Sequence, residues 1–521
     1  MQKKYATIIS NELIDIYENK LRDFHFTSNE IWAIYGTGNG AEIVFQILKK
    51  WELEKIIGAV VDNDSVSEQD IYFHDIRVIN LCSACEYIDG IIIASMDYHE
   101  VVYERVQLFI SKYCKRKIRV INLFGYNTSA EVFEYVNYVE NFMNRKDEKF
   151  YEDFDPVPIG LQEDDTKIIA WYLPQFHRID VNDYYYGRGF TEWTNTSKAI
   201  PMFTGHYQPH IPYDVGYYDL NNPEVFERQI ELAKHYGIYG FSFHYYWFSG
   251  KRIMEKPLEY FLRHPELDIK YCITWANENW TALWDGGNRD LIFEQKLQNG
   301  DAEKFIEGLL PYFEDERYIR IDNKLLLIVY RPTVWDKDCV KRLFQSFRDE
   351  MRKRCMHELY IMVCNARGFD ENVGEWGADA LVEFPPHGIG QWAPVIKVNG
   401  YLNPYFVGNL RSMDDFIGEK KYLSEHKCGK YFRGAMPSWD NTARKAKNGA
   451  TIYTGLTPGT FQQWMKDIML ESKKIHSGEE DIVFVNAWNE WAEGAHLEPD
   501  IRYGYANLKA IKRAIEQCRG I

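Results

Sequence analysis

From Lys167 to the C-terminus the chain repeats one pattern, a short apolar run that stops abruptly at polar or aromatic residues. The runs are Ile168–Leu173, Ile238–Tyr245, Lys270–Trp275, Leu325–Tyr330, Tyr360–Cys364, Ala380–Phe384, Tyr431–Met436 and Ile482–Asn486. Runs this short, rich in β-branched and aromatic residues, predict buried strands. Helical spacing appears between several of them, over Pro223–Tyr236, Asp301–Leu310, Asp338–Arg354 and Pro458–Glu471. The first of these helices opens with Asn221-Asn-Pro-Glu224, a cap followed by proline in the first turn. Eight strand segments alternating with helices predict an α/β fold, a (β/α)8 TIM-like barrel over 167–521. An open doubly wound sheet is the alternative.

The first 150 residues carry a different pattern. Residues 10 to 27 space Leu13, Ile14, Tyr17, Leu21 and Phe24 as an amphipathic helix. Ile31–Tyr35 then reads as a strand running into Gly36, Gly38 and Gly40, and a second strand, Ile56–Val61, ends in Asp62. Strand, glycine loop, helix, strand and acid is the order of a dinucleotide-binding unit, in which helix-start amides hold pyrophosphate and the carboxylate holds a ribose. Further strands at Gly90–Ser95 and Ile118–Asn122 extend a small parallel sheet. Residues 1–150 are therefore expected to form a Rossmann-like α/β domain, with Gly36, Gly38, Gly40 and Asp62 as possible nucleotide-binding residues. The Gly-x-Gly-x-Gly spacing departs from the usual fingerprint, and such glycines also serve backbone conformation alone. Residues 151–166, rich in Asp, Glu and Pro, read as a linker.

Composition narrows the function. Fifteen Trp and 37 Tyr give many side chains with an apolar body and a polar edge, which suit sugar-binding clefts as well as cores. A formal charge of -16 argues against a nucleic-acid surface. Nine cysteines without metal or disulfide spacing fit reduced thiols and a cytoplasmic setting. The first ten residues lack a signal-peptide core, and no apolar stretch is long enough to span a membrane.

The stretch from Val483 to Asp500 holds the densest chemistry, with Glu490, Glu493 and Glu498 beside Trp488, Trp491 and His496. Carboxylates three apart share one side of a helical turn, and acids beside aromatic platforms suit chemistry on a sugar. A barrel gathers such groups at the carboxyl ends of its strands. The first run delivers Tyr172, Gln175 and His177, then Glu192 and Trp193. The second brings His244 and Tyr246, the third Trp275, Asn277 and Glu278, the fourth Tyr330 and Arg331. The sixth brings Glu383 and His387, the seventh Trp439 and Asp440, and the eighth Asn486, Trp488, Glu490, Glu493, His496 and Glu498. His177, His244, His387 and His496 form no tight ligand motif with Glu278, so no metal and no cofactor is expected.

Four motifs carry a resemblance: Ile169-Ala-Trp-Tyr-Leu-Pro-Gln-Phe-His177, Gly189-Phe-Thr-Glu-Trp193, Trp275-Ala-Asn-Glu-Asn-Trp280, and Asn486-Ala-Trp-Asn-Glu-Trp-Ala-Glu-Gly494 through Glu498-Pro. They resemble the WbsX-like family, described as glycosyltransferases of surface polysaccharide clusters, which is similar in turn to the endo-α-mannosidase barrels of glycoside hydrolase family 99. The first 150 residues resemble the Rossmann-like domain attached to several bacterial sugar-modifying enzymes. The hydrolase resemblance implies retaining, endo-glycosidase-like chemistry on a bacterial surface polysaccharide or related glycan. In it Glu490 assists the sugar 2-hydroxyl and Glu493 is general acid/base. The family's transferase description implies instead a nucleotide-sugar donor in O-antigen or capsule synthesis, and a non-catalytic glycan-binding protein is the third reading. The expected partners are a glycan or oligosaccharide, a nucleotide-sugar under the transferase reading, and peripheral contact with a polysaccharide-assembly system. Neither nucleic acid nor an integral membrane segment is expected.

Overall fold

Every one of the eight apolar runs becomes a strand. In the computed structural model, which describes residues 11–62, 71–95, 99–125, 146–281, 291–354, 356–397, 406, 408–445 and 449–520, they span Lys167–Tyr172, Gly240–Phe248, Lys270–Trp275, Lys324–Val329, Leu359–Cys364, Ala380–Val382, Tyr431–Ala435 with a break at Arg433, and Ile482–Val485. All pair in parallel with their neighbours, and the eighth strand pairs with the first, so the sheet is a (β/α)8 TIM-like barrel. Strands buried on both faces have no solvent side to mark with polar residues, which is why the runs read as continuous.

The seventh strand closes the ring in two halves. Tyr431–Phe432 pairs with the sixth strand and Gly434–Ala435 with the eighth. Between them the Arg433 guanidinium is buried against Glu383 and Glu471, at 2.7 and 2.6 Å. Gly434 follows because a Cβ there would stand 2.4 Å from the Glu383 carbonyl oxygen. The helix Pro223–Tyr236 forms as its sequence dictates: the Asn222 side chain accepts from the Glu224 amide, Pro223 occupies the first turn, and Gly237 ends it in the left-handed region at φ 94°.

The chain divides into two units, and Met1–Tyr138 with Met202–Thr204 and Asn399–Phe406 form one of them, the rest belonging to the barrel unit. The acids of 151–166 bond within the barrel unit. Glu152 meets Arg513 at 2.6 Å and Asp155 meets Lys512 at 2.7 Å, both on the C-terminal helix Ala506–Cys518, and Asp165 meets Arg519, the residue that caps it, at 2.6 Å. The Glu152 amide also donates to the Tyr503 carbonyl at 3.1 Å.

The smaller unit has a six-stranded sheet. Its parallel strands run, edge to edge, Ile76–Ile79, Ile57–Val61, Trp32–Tyr35, Gly90–Ile93 and Arg119–Asn122. In chain order among themselves this is 3-2-1-4-5, a Rossmann arrangement whose switch point lies beside Trp32–Tyr35. An antiparallel hairpin adds Tyr72–Phe73 at the edge, turned by His74 and Asp75, both at positive φ. The sequence reading did not anticipate this hairpin, whose strands are too short to show alternation. Gly36 has φ +113° and donates its amide to Val61 at 2.8 Å, and Thr37 donates its hydroxyl to Asp62 at 2.7 Å. Gly40 lets the helix Asn39–Lys50 approach the sheet, because a Cβ there would lie 2.0 Å from the Ala94 carbonyl oxygen.

Candidate active site

The carboxyl ends of all eight barrel strands converge on a cavity of about 830 Å³. Ten of the residues expected there line it: His244, Tyr246, Glu278, Tyr330, Arg331, His387, Trp439, Asn486, Glu490 and Glu493. Glu490 ends a two-residue strand, Asn489–Glu490, and Glu493 closes the 3-10 turn that follows it.

One guanidinium organises the acids. Arg444, on the short helix Thr442–Lys445, meets Glu490 at 2.9 Å, Glu493 at 2.8 Å and Glu192 at 3.0 Å. Arg444 and Glu490 are both 5% exposed in their side chains, whereas Glu493 is 21% exposed. Burial, with help from the Glu493 and Glu192 charges, pushes the Glu490 carboxyl well above the ordinary range, while Arg444 and Gln175 pull it down. Gln175 donates its side-chain nitrogen to both Glu490 oxygens, at 3.3 and 3.4 Å. The sequence reading missed Arg444: it sits in an ordinary polar segment, and its three partners lie far away in the chain.

A second set of pairs also lines the cavity. Arg331 meets Glu278 at 2.7 Å, and its amide donates to Asn277, whose side-chain nitrogen donates back to the Arg331 carbonyl at 2.8 Å. The Tyr330 hydroxyl and His387 Nε2 are hydrogen-bonded at 2.7 Å. Burial lowers both His244 and His387 to about 4, so the cavity presents neutral imidazoles near pH 7.

The remaining expected residues lie outside the cavity lining. Tyr172 is buried on the helix side, donating to Gln229 at 2.7 Å and stacked on Phe226. His177 is buried, and burial lowers its pKa. Trp193 donates to the Tyr218 carbonyl at 2.7 Å, and Trp275 donates to the Trp247 carbonyl at 3.3 Å. Glu383 serves the strand break, bonded to Arg433, to His426 at 2.8 Å and to the Gly434 amide at 2.9 Å. Asp440 holds His206 at 2.6 Å and Gln208 at 2.8 Å. Glu498 accepts from Trp491, Gln229, Tyr218 and Trp488 at 2.6 to 3.1 Å, so it anchors the loop beneath the site. His496 stacks on Trp491 with ring centres 3.7 Å apart.

Two groups among the described residues bring metal-type donors within 4.8 Å of one another, His210 with His496 and Asp500, and Asp370 with His426 and Cys428. In each, donors bond to one another: His210 Nδ1 to His496 Nε2 at 2.8 Å, and His426 Nδ1 to Asp370 at 3.0 Å. Neither group is the set of histidines with Glu278 weighed from the sequence.

Fold and site together define a (β/α)8 barrel with an acid cluster at the strand ends, where barrel enzymes place their chemistry. The chain belongs to the WbsX glycosyltransferase family: the family model, described as Glycosyltransferase WbsX, matches residues 168–511. The uncharacterized protein WxcX of Xanthomonas campestris pv. campestris, from two strains, is 35% identical over 351 residues, which are 67% of this chain and 49% of WxcX. The chain thus spans about half the length of the curated relatives it matches. Among solved structures, the GH99 endo-alpha-mannosidase of Bacteroides thetaiotaomicron in complex with BIS-TRIS-propane aligns with a TM-score of 0.43 at 12% identity, over 68% of this chain and 98% of the mannosidase. A glycoside hydrolase-like protein aligns with a TM-score of 0.42 at 16% identity, over 69% and 97%. No helix among the described residues is long and apolar enough to cross a membrane.

Proposed function

We propose that the barrel is a carbohydrate-active enzyme that acts on glycosidic bonds of a surface polysaccharide or related glycan. The observation that carries this is the pair Glu490 and Glu493, held by different nitrogens of one buried guanidinium at the edge of a polar, aromatic cavity. Two acids held by one cation are close enough to serve neighbouring oxygens of one sugar, O2 and the glycosidic oxygen, which participation of the 2-hydroxyl requires.

In the proposed reaction on an α-mannoside-like unit, Glu490 takes the proton from O2 as O2 attacks C1 and the C1–O bond breaks. Glu493 gives its proton to the departing oxygen. Glu493 then takes a proton from water as the water attacks C1, the C1–O2 bond breaks, and Glu490 returns its proton to O2. Both carboxyl groups end as they began, and the configuration at C1 is retained. His244, Tyr246, Tyr330 and Trp439 are the cavity residues available to contact the ring and its hydroxyls.

The test is turnover of α-manno-oligosaccharides by Glu493→Gln. We expect loss of activity with oligosaccharide binding intact, and full activity would sink the assignment. The family's description favours a second reading, transfer from a nucleotide-sugar, for which Gly36, Gly38, Gly40 and Asp62 lie at the switch point of the smaller unit. Calorimetric heat with UDP- or GDP-sugars would support it. Under either reading the proposed setting is the cytoplasm, in peripheral contact with a polysaccharide-assembly system.

A further inference from the structure

A second chamber, of about 620 Å³, adjoins the catalytic cavity within the barrel unit. Arg367, Pro386, His387, Thr451 and Tyr453 line both, so the two share a wall. His387 stands in that wall, hydrogen-bonded to Tyr330. Both volumes fall within the range of about 300–1,000 Å³ in which ligand sites lie.

Trp392 lines this chamber and not the catalytic cavity. It is 38% exposed, the most exposed tryptophan among the described residues. Lys421 Nζ stands 5.3 Å from its ring centre, and no other aromatic ring packs on it among the described residues. An indole left in water on the rim of a chamber lined by both polar and apolar groups is a platform for the apolar face of a sugar ring.

Arg367, Arg411, Lys421 and His426 line the chamber together with the carboxylates Asp370, Glu383 and Glu425, so the lining holds no large surplus of positive charge. His426 bridges Asp370 and Glu383, at 3.0 and 2.8 Å, and Glu383 also holds Arg433. Arg411 donates to the Gly390 and Ala393 carbonyls at 2.9 and 2.7 Å, and Lys421 pairs with Glu419 at 2.7 Å. A diphosphate or polyanionic ligand needs a surplus of positive charge, which this balance withholds. A neutral glycan needs an aromatic face and hydrogen-bonding groups, and those are present.

We propose that this chamber is a second subsite for the same glycan. The substrate is then a neutral oligosaccharide that runs from the catalytic cavity past His387 and lays a distal sugar on Trp392. The inference rests on the glycan-active reading above and adds to it the substrate's length, its charge and the residue that senses its far end.

The experiment is calorimetry on the full chain carrying Glu493→Gln, titrated with α-manno-oligosaccharides from the disaccharide to the hexasaccharide, with and without Trp392→Ala. Affinity should step up once the chain is long enough to pass His387. Trp392→Ala should remove that step, a loss of about tenfold, and leave the disaccharide's affinity and the thermal unfolding temperature unchanged. A step that survives Trp392→Ala overturns the second subsite while leaving the catalytic reading in place. Binding of GDP or UDP that Trp392→Ala abolishes also overturns it, because the chamber would then hold a nucleotide. Absence of binding across the whole ladder removes the α-mannoside reading itself, and this inference with it.

Discussion

Replacing Arg444 by Met removes the positive charge that three carboxylates share in the acid cluster. Glu192, Glu490 and Glu493 each meet its guanidinium at 2.8 to 3.0 Å, and its side chain is 5% exposed. With charge centres about 4 Å apart and an effective dielectric of about 20, each contact is worth about 4 kcal/mol in gross Coulomb energy. Desolvation of the cation and repulsion among the acids offset much of that sum. Breaking a single buried pair costs about 3–5 kcal/mol, because the charge left behind is uncompensated. We expect Arg444→Met to destabilise the barrel by that amount near neutral pH, measured as the shift of its urea unfolding transition.

The same substitution has a required pH signature. Burial already holds the Glu490 carboxyl above its ordinary range, and Arg444 is the largest influence lowering it. Without Arg444 it rises further above its value in the unfolded chain. A carboxyl raised on folding binds more protons folded than unfolded, so its contribution is favourable at low pH and is lost as pH rises through the folded value. The deficit of Arg444→Met is therefore expected to be smaller near about pH 5 than near about pH 8. Adding Glu192→Gln removes one of the uncompensated charges and should return part of the lost stability. A loss below about 1 kcal/mol, or a deficit equal at both pH values, would refute the account of Arg444 as the cation that makes this acid cluster tolerable.

Two further outcomes follow from the geometry. Gly40→Ala should destabilise the Rossmann-like unit by about 1–3 kcal/mol, since its Cβ meets a backbone carbonyl that has nowhere to go. Gly38→Ala, with open space around it, should change stability by less than about 0.5 kcal/mol, and hydrogen exchange across Trp32–Val61 reads both. Burial raises Glu498 to about 7 despite its four donors. The contribution of Glu498 to stability should therefore fall as pH climbs from about 4.5 to about 7, and Glu498→Gln should remove that component, up to about 1.4 kcal/mol per pH unit.

What the sequence exposed and what it hid divide along one physical line. Strands buried on both faces announce themselves as apolar runs, so their ends were readable to within a few residues. The helix Pro223–Tyr236 was readable because its cap, its proline and its terminal glycine act locally. Arg433 was hidden, because Tyr431–Met436 looks like one strand until Glu383 and Glu471 arrive to hold a buried guanidinium in the middle of it. Arg444 was hidden for the same reason, since its partner Glu192 is 252 residues away. Glu498 shows the converse. Its chemistry looked like that of a site residue, yet four donors converge on it below the cavity, and no local pattern reports that convergence.

Glu490 and Glu493 show how neighbours in one motif acquire different properties. They share a cation and a turn, so neither spacing nor the nearest charge separates them. Exposure does, because Glu490 is sealed at 5% while Glu493 keeps 21% of its side chain open to the cavity. A sealed carboxylate gains affinity for a proton, which is what taking one from a weakly acidic sugar hydroxyl demands. Arg444 is the largest influence opposing that shift. In the proposed reaction Glu493 serves first the departing oxygen and then water, and its openness to the cavity gives it access to both. On this argument the division of labour is set by the depth of each carboxylate around a common guanidinium, which the sequence of the motif does not encode.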